Sequence, residues 1–303
     1  MRTPPIPPRP ADGHKGTFGT VLVVGGSSGG RVMVGGPVLA GLAALRAGAG
    51  LCELAMPESL LPAALGVAPS TTGVPLRELG GRLDAESAIA SLEAALERAT
   101  VVAVGPGWGG GEEVEELLVA ILERTRSLGR ALVLDADGLN ALARLGGSMH
   151  LPPHAILTPH PGEFRRLADA RGLASLDPIS PATRADAART ISRALGAVVV
   201  LKGHRTVIAD GDRVEVDEVG GPILATGGSG DVLTGVVAGL WSQWIAGGAE
   251  TGARRFESAC AAVLVHATAG DRWARGRAER GLLATDLLAE IPAAIGEVAA
   301  ASR

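Results

Sequence analysis

TVLVVGG, Thr20 to Gly26, is a short apolar run ending in glycines, the profile of a parallel strand buried on both faces. An Ala-rich helical segment follows from Pro37 to Ala47, with the proline in the first turn, where its missing N–H costs nothing. LCELAM, Leu51 to Met56, then reads as a second strand, so these residues make a β–α–β unit.

The same alternation runs outward from that unit. Asp84 to Arg98 is predicted helical, VVAVGPG (Val101 to Gly107) is strand into turn, and Glu112 to Ser127 is helical. ALVLDADGLN (Ala131 to Asn140) and AILTPHPGEF (Ala155 to Phe164) each read as strand, turn and helix start. Pro181 to Leu195 is a helix and AVVVLKG (Ala197 to Gly203) a strand, and TVIAD with RVEV forms a hairpin around Asp210-Gly211. A Gly-rich turn leads to a helix from Asp231, and further helices cover Glu257 to Ala269 and Thr285 to Ala300. Strands alternating with long helices imply a three-layer α/β/α fold with a mostly parallel central sheet. In such sheets ligands bind beyond the carboxyl ends of the strands, where the strand order switches. A Pro-rich arm, residues 1–12, precedes one domain, residues 13–303.

Composition agrees with this architecture. Of 303 residues 44 are glycine, three are Phe and none is Tyr, which suits close element packing and many tight turns. The net charge of −4 gives no general attraction to nucleic acid. Four arginines between Arg272 and Arg280 read as a solvated surface stretch. Cys52 and Cys260 stand alone and read as buried small hydrophobes of a reducing compartment. The N-terminus has no apolar core, so it is no secretory signal, and a cytoplasmic location is expected. Val232 to Ala249 is uncharged over 18 residues, the length of a membrane span. Its large apolar residues recur on one helix face, however, so it reads as a core helix, with Gly235 and Gly239 allowing close helix–sheet packing.

LATGGSGDVLTG, Leu224 to Gly235, carries the strongest chemical signal. Free N–H groups at a helix start hold anions, and Gly227, Gly228 and Gly230 let a phosphate approach the backbone. Asp231 suits a general base facing a hydroxyl that attacks a phosphoryl group, and it equally suits a helix cap. GPGWGG, Gly105 to Gly110, holds more glycine than a simple turn needs, as where backbone passes beside a ligand. His160 and Glu163 could face one pocket, with Glu163 holding a hydrated magnesium ion, or they are a polar turn residue and a first-turn acid. Asp137 reads as an N-cap and Asp135 as the better functional candidate. Lys202, at a strand end, could reach nucleotide phosphate or ribose, or extend to solvent.

HKGTFGTVLVVGGSSG, RAGAGL, VGPGWG, LVLDADGLNAL, LTPHPGEF, VVLKG and ILATGGSGDVLTGVVAGL stand in order from His14 to beyond Asp231. This series resembles the ADP/ATP-dependent NAD(P)H-hydrate dehydratase family of the ribokinase-like superfamily. The resemblance implies that Asp231 is the catalytic acid–base and that Gly228, Ser229 and Gly230 form its anion hole. It implies a nucleotide site at Lys202, Gly203, His204, Arg205, Thr206 and Gly230, and an NAD(P)H-hydrate site at Gly36, Gly107, His160 and Asp231. Magnesium would be held through water by Glu163, and ADP or ATP would donate the phosphoryl group. Val34-Gly35-Gly36 and Gly220-Gly221-Pro222 depart from the family's usual sequences, the first where the resemblance implies nicotinamide contacts and the second, which removes an amide side chain, near the nucleotide loop. With only some 13 residues before the first motif, the dehydratase is expected without its fused epimerase, acting with a separate one. A homo-oligomer without nucleic-acid or membrane partners is expected. A small-molecule kinase of this fold, acting on a thiazole, pyrimidine or sugar alcohol, is the main rival. A nucleotide-binding regulator is the other, and the presence of Asp231 argues against it.

Overall fold

Alternate residues of each central strand face opposite sides, and both sides are buried. On β1 (Thr20–Val24), Val21 and Val23 enter one core, and Leu22 and Val24 enter the other. The computed structural model describes residues 4–147, 149–278 and 280–302. After β1 come α1 (Gly35–Arg46), β2 (Leu51–Pro57), α2 (Leu61–Val67), β3 (Thr72–Leu76) and a two-stranded ribbon, β4 (Glu78–Leu79) with β5 (Arg82–Leu83). The middle of the chain comprises α3 (Ala85–Arg98), β6 (Val101–Val104), α4 (Glu112–Ser127), β7 (Ala131–Leu134), α5 (Ala136–Leu145), β8 (Ala155–Leu157) and α6 (Pro161–Ala170). It continues with α7 (Arg184–Leu195), β9 (Val198–Leu201), β10 (Val207–Asp210), β11 (Arg213–Val216), α8 (Ser229–Ala246), α9 (Arg255–Ala274) and α10 (Ala284–Ala301).

The nine-stranded sheet has the order β11-β10-β9-β8-β7-β6-β1-β2-β3. The strands from β3 to β9 pair in parallel, and β10 and β11 extend the sheet as antiparallel strands. Helices α1, α2, α8, α9 and α10 cover one face, and α3 to α7 cover the other. This is the expected three-layer fold, and the hairpin turns at Asp210-Gly211 as expected. Strand order switches between β1 and β6, because the chain runs outward through β2 and β3 before returning to the far side of β1.

The uncharged stretch after Asp231 lies in α8 as far as Ala246, and the helix is buried on all sides over most of its length rather than on one face. Gly235 and Gly239 pack against α1, not against the sheet. A Cβ on Gly235 would overlap the Ala40 carbonyl oxygen and come within 2.6 Å of the Ala43 Cβ. A Cβ on Gly239 would meet the Ala47 Cβ at 2.9 Å. Among the described residues no helix is long and apolar enough to cross a membrane. Arg9 of the Pro-rich arm donates to the Gly48 carbonyl and to Gln243 Oε1, and its guanidinium lies 3.6 Å from the centre of the Phe18 ring. Both cysteines are buried, and burial pushes each thiol up to about 12. Arg272 and Arg275 of the arginine stretch pair with Glu290 and Glu297, as a surface role requires.

Candidate active site

Helix α8 begins two residues before the expected position. Gly228 is its N-cap, in the left-handed region at φ +87°, so Asp231 sits at the third helical position and caps nothing. The N–H groups of Gly228, Gly230 and Asp231 have no hydrogen-bond partner among the described residues. Such amides, reinforced by the helix dipole, form a ready anion cradle. Asp231 stands beside it as an acid. Burial and the nearby Asp135 carboxylate push its carboxyl up to about 7, against the pull of Lys202. Near neutral pH such a group both takes up and releases protons, as a general base must.

Four elements bring the neighbours of Asp231 together. Lys202, at the end of β9, donates to Asp135 Oδ1 at 2.6 Å and lies 3.9 Å from Glu163 Oε2. Thr234, one turn along α8, donates to Asp135 Oδ2 at 2.7 Å. Burial alone would lower the Lys202 ammonium, but Asp135, Glu163 and Asp231 together hold it above its ordinary value. The ammonium therefore stays charged among three carboxylates instead of extending to solvent.

The N-cap position expected of Asp137 belongs to Asp135, which also joins the cluster as expected of the better functional candidate. Asp135 is the N-cap of α5, although its side chain serves the cluster and makes no cap bond. Asp137 accepts from the Gly109 N–H at 2.8 Å and steadies the glycine turn after β6. Ala136 between them has φ +48°, which sends the flanking carboxylates to different partners.

His160 and Glu163 form a capping box at the start of α6. The His160 Nδ1 accepts from the Gly162 N–H, and Glu163 Oε2 accepts from the His160 N–H. Burial raises the Glu163 carboxyl to about 7 despite Lys202. Among the described residues no three His, Cys, Asp or Glu side chains are grouped closely enough to cage a metal.

Two cavities lie at the carboxyl ends of the strands, and the larger reaches Ser229 and Gly230, just before Asp231. The larger, about 620 Å³, takes in His160, the loop from Lys202 to Thr206, Gly220 to Pro222 and Gly230. Arg184, 7% exposed, fixes that loop by donating to the carbonyls of Leu201, Lys202 and His204. Gly203 and Arg205 take positive φ there, +137° and +57°. The second cavity, about 400 Å³, opens at the β1/β6 switch and is lined by Gly26, Ser27, Arg31, Met33, Arg82 and Gly109. Gly36 and Gly107 meet beside it, where a Cβ on Gly36 would lie 3.1 Å from the Gly107 nitrogen. The structure thus joins Lys202 to Thr206 with Gly230, and Gly36 with Gly107. It puts His160 on the larger cavity, apart from Gly36 and Gly107. Arg184 and His266 also belong to the site, and no sequence motif marks them; Thr234 lies inside LATGGSGDVLTG, but the motif gives it no role of its own. Each acts through a contact with residues far away in the chain, such as Thr234 with Asp135.

The profile of the NAD(P)H-hydrate dehydratase family matches residues 21–293. The chain is 39% identical over 291 residues to the bifunctional NAD(P)H-hydrate repair enzyme Nnr of Pyrobaculum aerophilum, covering 95% of this chain and 52% of that one. It therefore spans about half the length of such curated relatives. A ribokinase-like superfamily protein of Enterococcus faecalis is similar at a TM-score of 0.77 and 26% identity, over 97% of this chain and 92% of the other. The ADP/ATP-dependent NAD(P)H-hydrate dehydratase of Bacillus subtilis, co-crystallised with ATP/Mg2+, is similar at a TM-score of 0.74 and 28% identity, over 97% and 95% of the two chains. Because the matched profile runs from β1 into α10 and takes in the whole cluster around Asp231, the chain belongs to the NAD(P)H-hydrate dehydratase family.

Proposed function

We propose that this chain restores NAD(P)H from its hydrate by an ADP- or ATP-dependent dehydration. One observation carries the reading: a carboxyl group raised to about 7 stands beside unpartnered helix-start amides at the edge of the larger cavity. The nucleotide occupies the larger cavity, with its terminal phosphoryl group on the N–H groups of Gly228, Gly230 and Asp231. The hydrated nicotinamide enters from the β1/β6 switch, past Gly36 and Gly107, with its ring hydroxyl facing Asp231.

Asp231 takes the hydroxyl proton as the oxygen attacks the phosphorus, and AMP or ADP departs. The N–H cradle offsets charge on the transferring group. Phosphate is a far better leaving group than hydroxide. Its C–O bond breaks with help from the ring-nitrogen lone pair, and loss of a proton from the adjacent carbon restores the double bond.

The oxygen-rich donor set fits a hydrated magnesium ion held by Glu163 through water, because both Glu163 oxygens already face His160. Such an ion supplies positive charge against the phosphates. The relatives' bifunctional name supports an epimerase activity acting alongside. Self-association and a cytoplasmic location complete the proposal.

The test incubates NADH hydrate with the protein, magnesium and each nucleotide in turn. Recovery of reduced-nicotinamide absorbance that requires ADP or ATP supports the reading. A stable phosphorylated product without recovery would assign a kinase instead.

A further inference from the structure

The larger cavity holds a buried histidine that the reaction above does not use. His266 reaches from α9 toward the first turn of α8 and is 8% exposed. Its Nε2 lies 2.9 Å from the Ser229 carbonyl oxygen and 3.1 Å from the Ser229 hydroxyl. A carbonyl oxygen only accepts, so Nε2 carries the ring proton and Nδ1 is left as an acceptor. Burial lowers the imidazole to about 4, against the Ser229 carbonyl and with help from Lys202, so the ring is neutral at neutral pH.

Nδ1 has no hydrogen-bond partner among the described residues, and it is not sealed from solvent as the orphaned indole nitrogens of Trp241 and Trp244 are. His266 lines the cavity, so this acceptor opens into it. A polar atom placed so must find a donor in whatever fills the space.

The position of His266 indicates which donor that is. On one side Ser229 opens the helix whose N–H groups cradle the phosphate. On the other, Leu224, Leu233, Val263 and Ala267 give the cavity an apolar wall suited to a flat base. The sugar lies between phosphate and base. We infer that His266 Nδ1 accepts a hydrogen bond from a ribose hydroxyl and so selects ribonucleotides over deoxyribonucleotides. The inference rests on the nucleotide reading of this cavity.

Calorimetry with ADP, 2′-deoxy-ADP and 3′-deoxy-ADP in the presence of magnesium tests it. In the unaltered protein one of the two deoxy forms is expected to bind about 5- to 10-fold more weakly than ADP, the value of one neutral hydrogen bond. His266→Gln can still donate to Ser229 but has no acceptor at the Nδ1 position. It should bind ADP and that deoxy form alike. His266→Asn can place an oxygen there while giving up the Ser229 bond, and it should regain the preference. That reversal separates a ribose contact from a general loosening of α8. The inference is overturned if the unaltered protein binds both deoxy forms as tightly as ADP, which decides the matter even if the variants fail to fold. Full discrimination retained in His266→Gln also overturns it. No ADP binding at all would overturn the nucleotide reading itself, a result distinct from binding without preference.

Discussion

Helix α8 uses glycine in two opposite ways within three turns. At its start, a Cβ on Gly230 would meet only the Lys202 ammonium at 3.3 Å and Asp135 Oδ2 at 3.9 Å, so space is left above the free N–H groups. One turn further on, Gly235 has no space at all, because the Ala40 carbonyl of α1 occupies it. The first turn is open and charged, whereas Val232 to Gln243 are dry and close-packed. Rigid packing of the buried length fixes where the first turn points its amides and Asp231, as precise phosphoryl transfer demands. Loss of function should therefore separate from loss of stability along a single helix.

Asp231→Asn tests that separation with the largest expected effect, a rate loss on the order of 10²–10⁴-fold. Asp231 makes no cap bond, so the fold should not suffer. Its raised carboxyl means that the folded state binds more protons than the unfolded state between the ordinary Asp range and about pH 7. Stability of the ligand-free protein therefore falls as pH rises through that window. The Asn variant lacks this penalty and should melt at a higher temperature than the parent at pH 8, with no such gain at pH 4. Thermal melts at both pH values beside a rate assay check both statements.

Gly235→Ala should do the reverse. Overpacking against α1 is expected to cost about 3 kcal/mol, read from denaturant unfolding, while the protein that remains folded keeps its turnover per site. Lys202→Ala should weaken ADP binding about 10- to 100-fold, the scale of a lost charge-assisted hydrogen bond. The hydrated cofactor should lose less, and equal losses by calorimetry would remove Lys202 from the nucleotide site. Arg272→Ala gives the smallest effect. Its surface pairs with Glu290 and Glu297 are screened by solvent, so the melting temperature should barely move, and neither rate nor nucleotide affinity should change.

The first turn of α8 and its buried remainder also differ in how legible they are. Strands β1, β6, β7, β8 and β9 stand out as apolar runs because both of their faces are buried. Edge strand β3 carries Gly73 and Pro75, and much of it faces solvent, so nothing in its pattern separates it from a loop. The Gly-rich start of α8 announces a phosphate site because backbone geometry there is local. The partners of Gly235 are not local, so its packing on α1 rather than on the sheet could not be read from spacing. The shift of the cap from Asp137 to Asp135 follows from one left-handed residue, Ala136, which local preference does not favour. Lys202 read equally well as exposed or buried until Asp135 and Glu163 stood beside it.

The central claim is that the carboxylate and N–H groups at the start of α8 couple phosphoryl transfer to elimination. Measuring nucleotide consumed, inorganic phosphate released and NADH recovered in one reaction with NADH hydrate tests it most directly. The account predicts equal amounts of all three, with the three falling together in Asp231→Asn. NADH recovered without nucleotide consumption, or nucleotide consumed into a lasting organic phosphate, would contradict it.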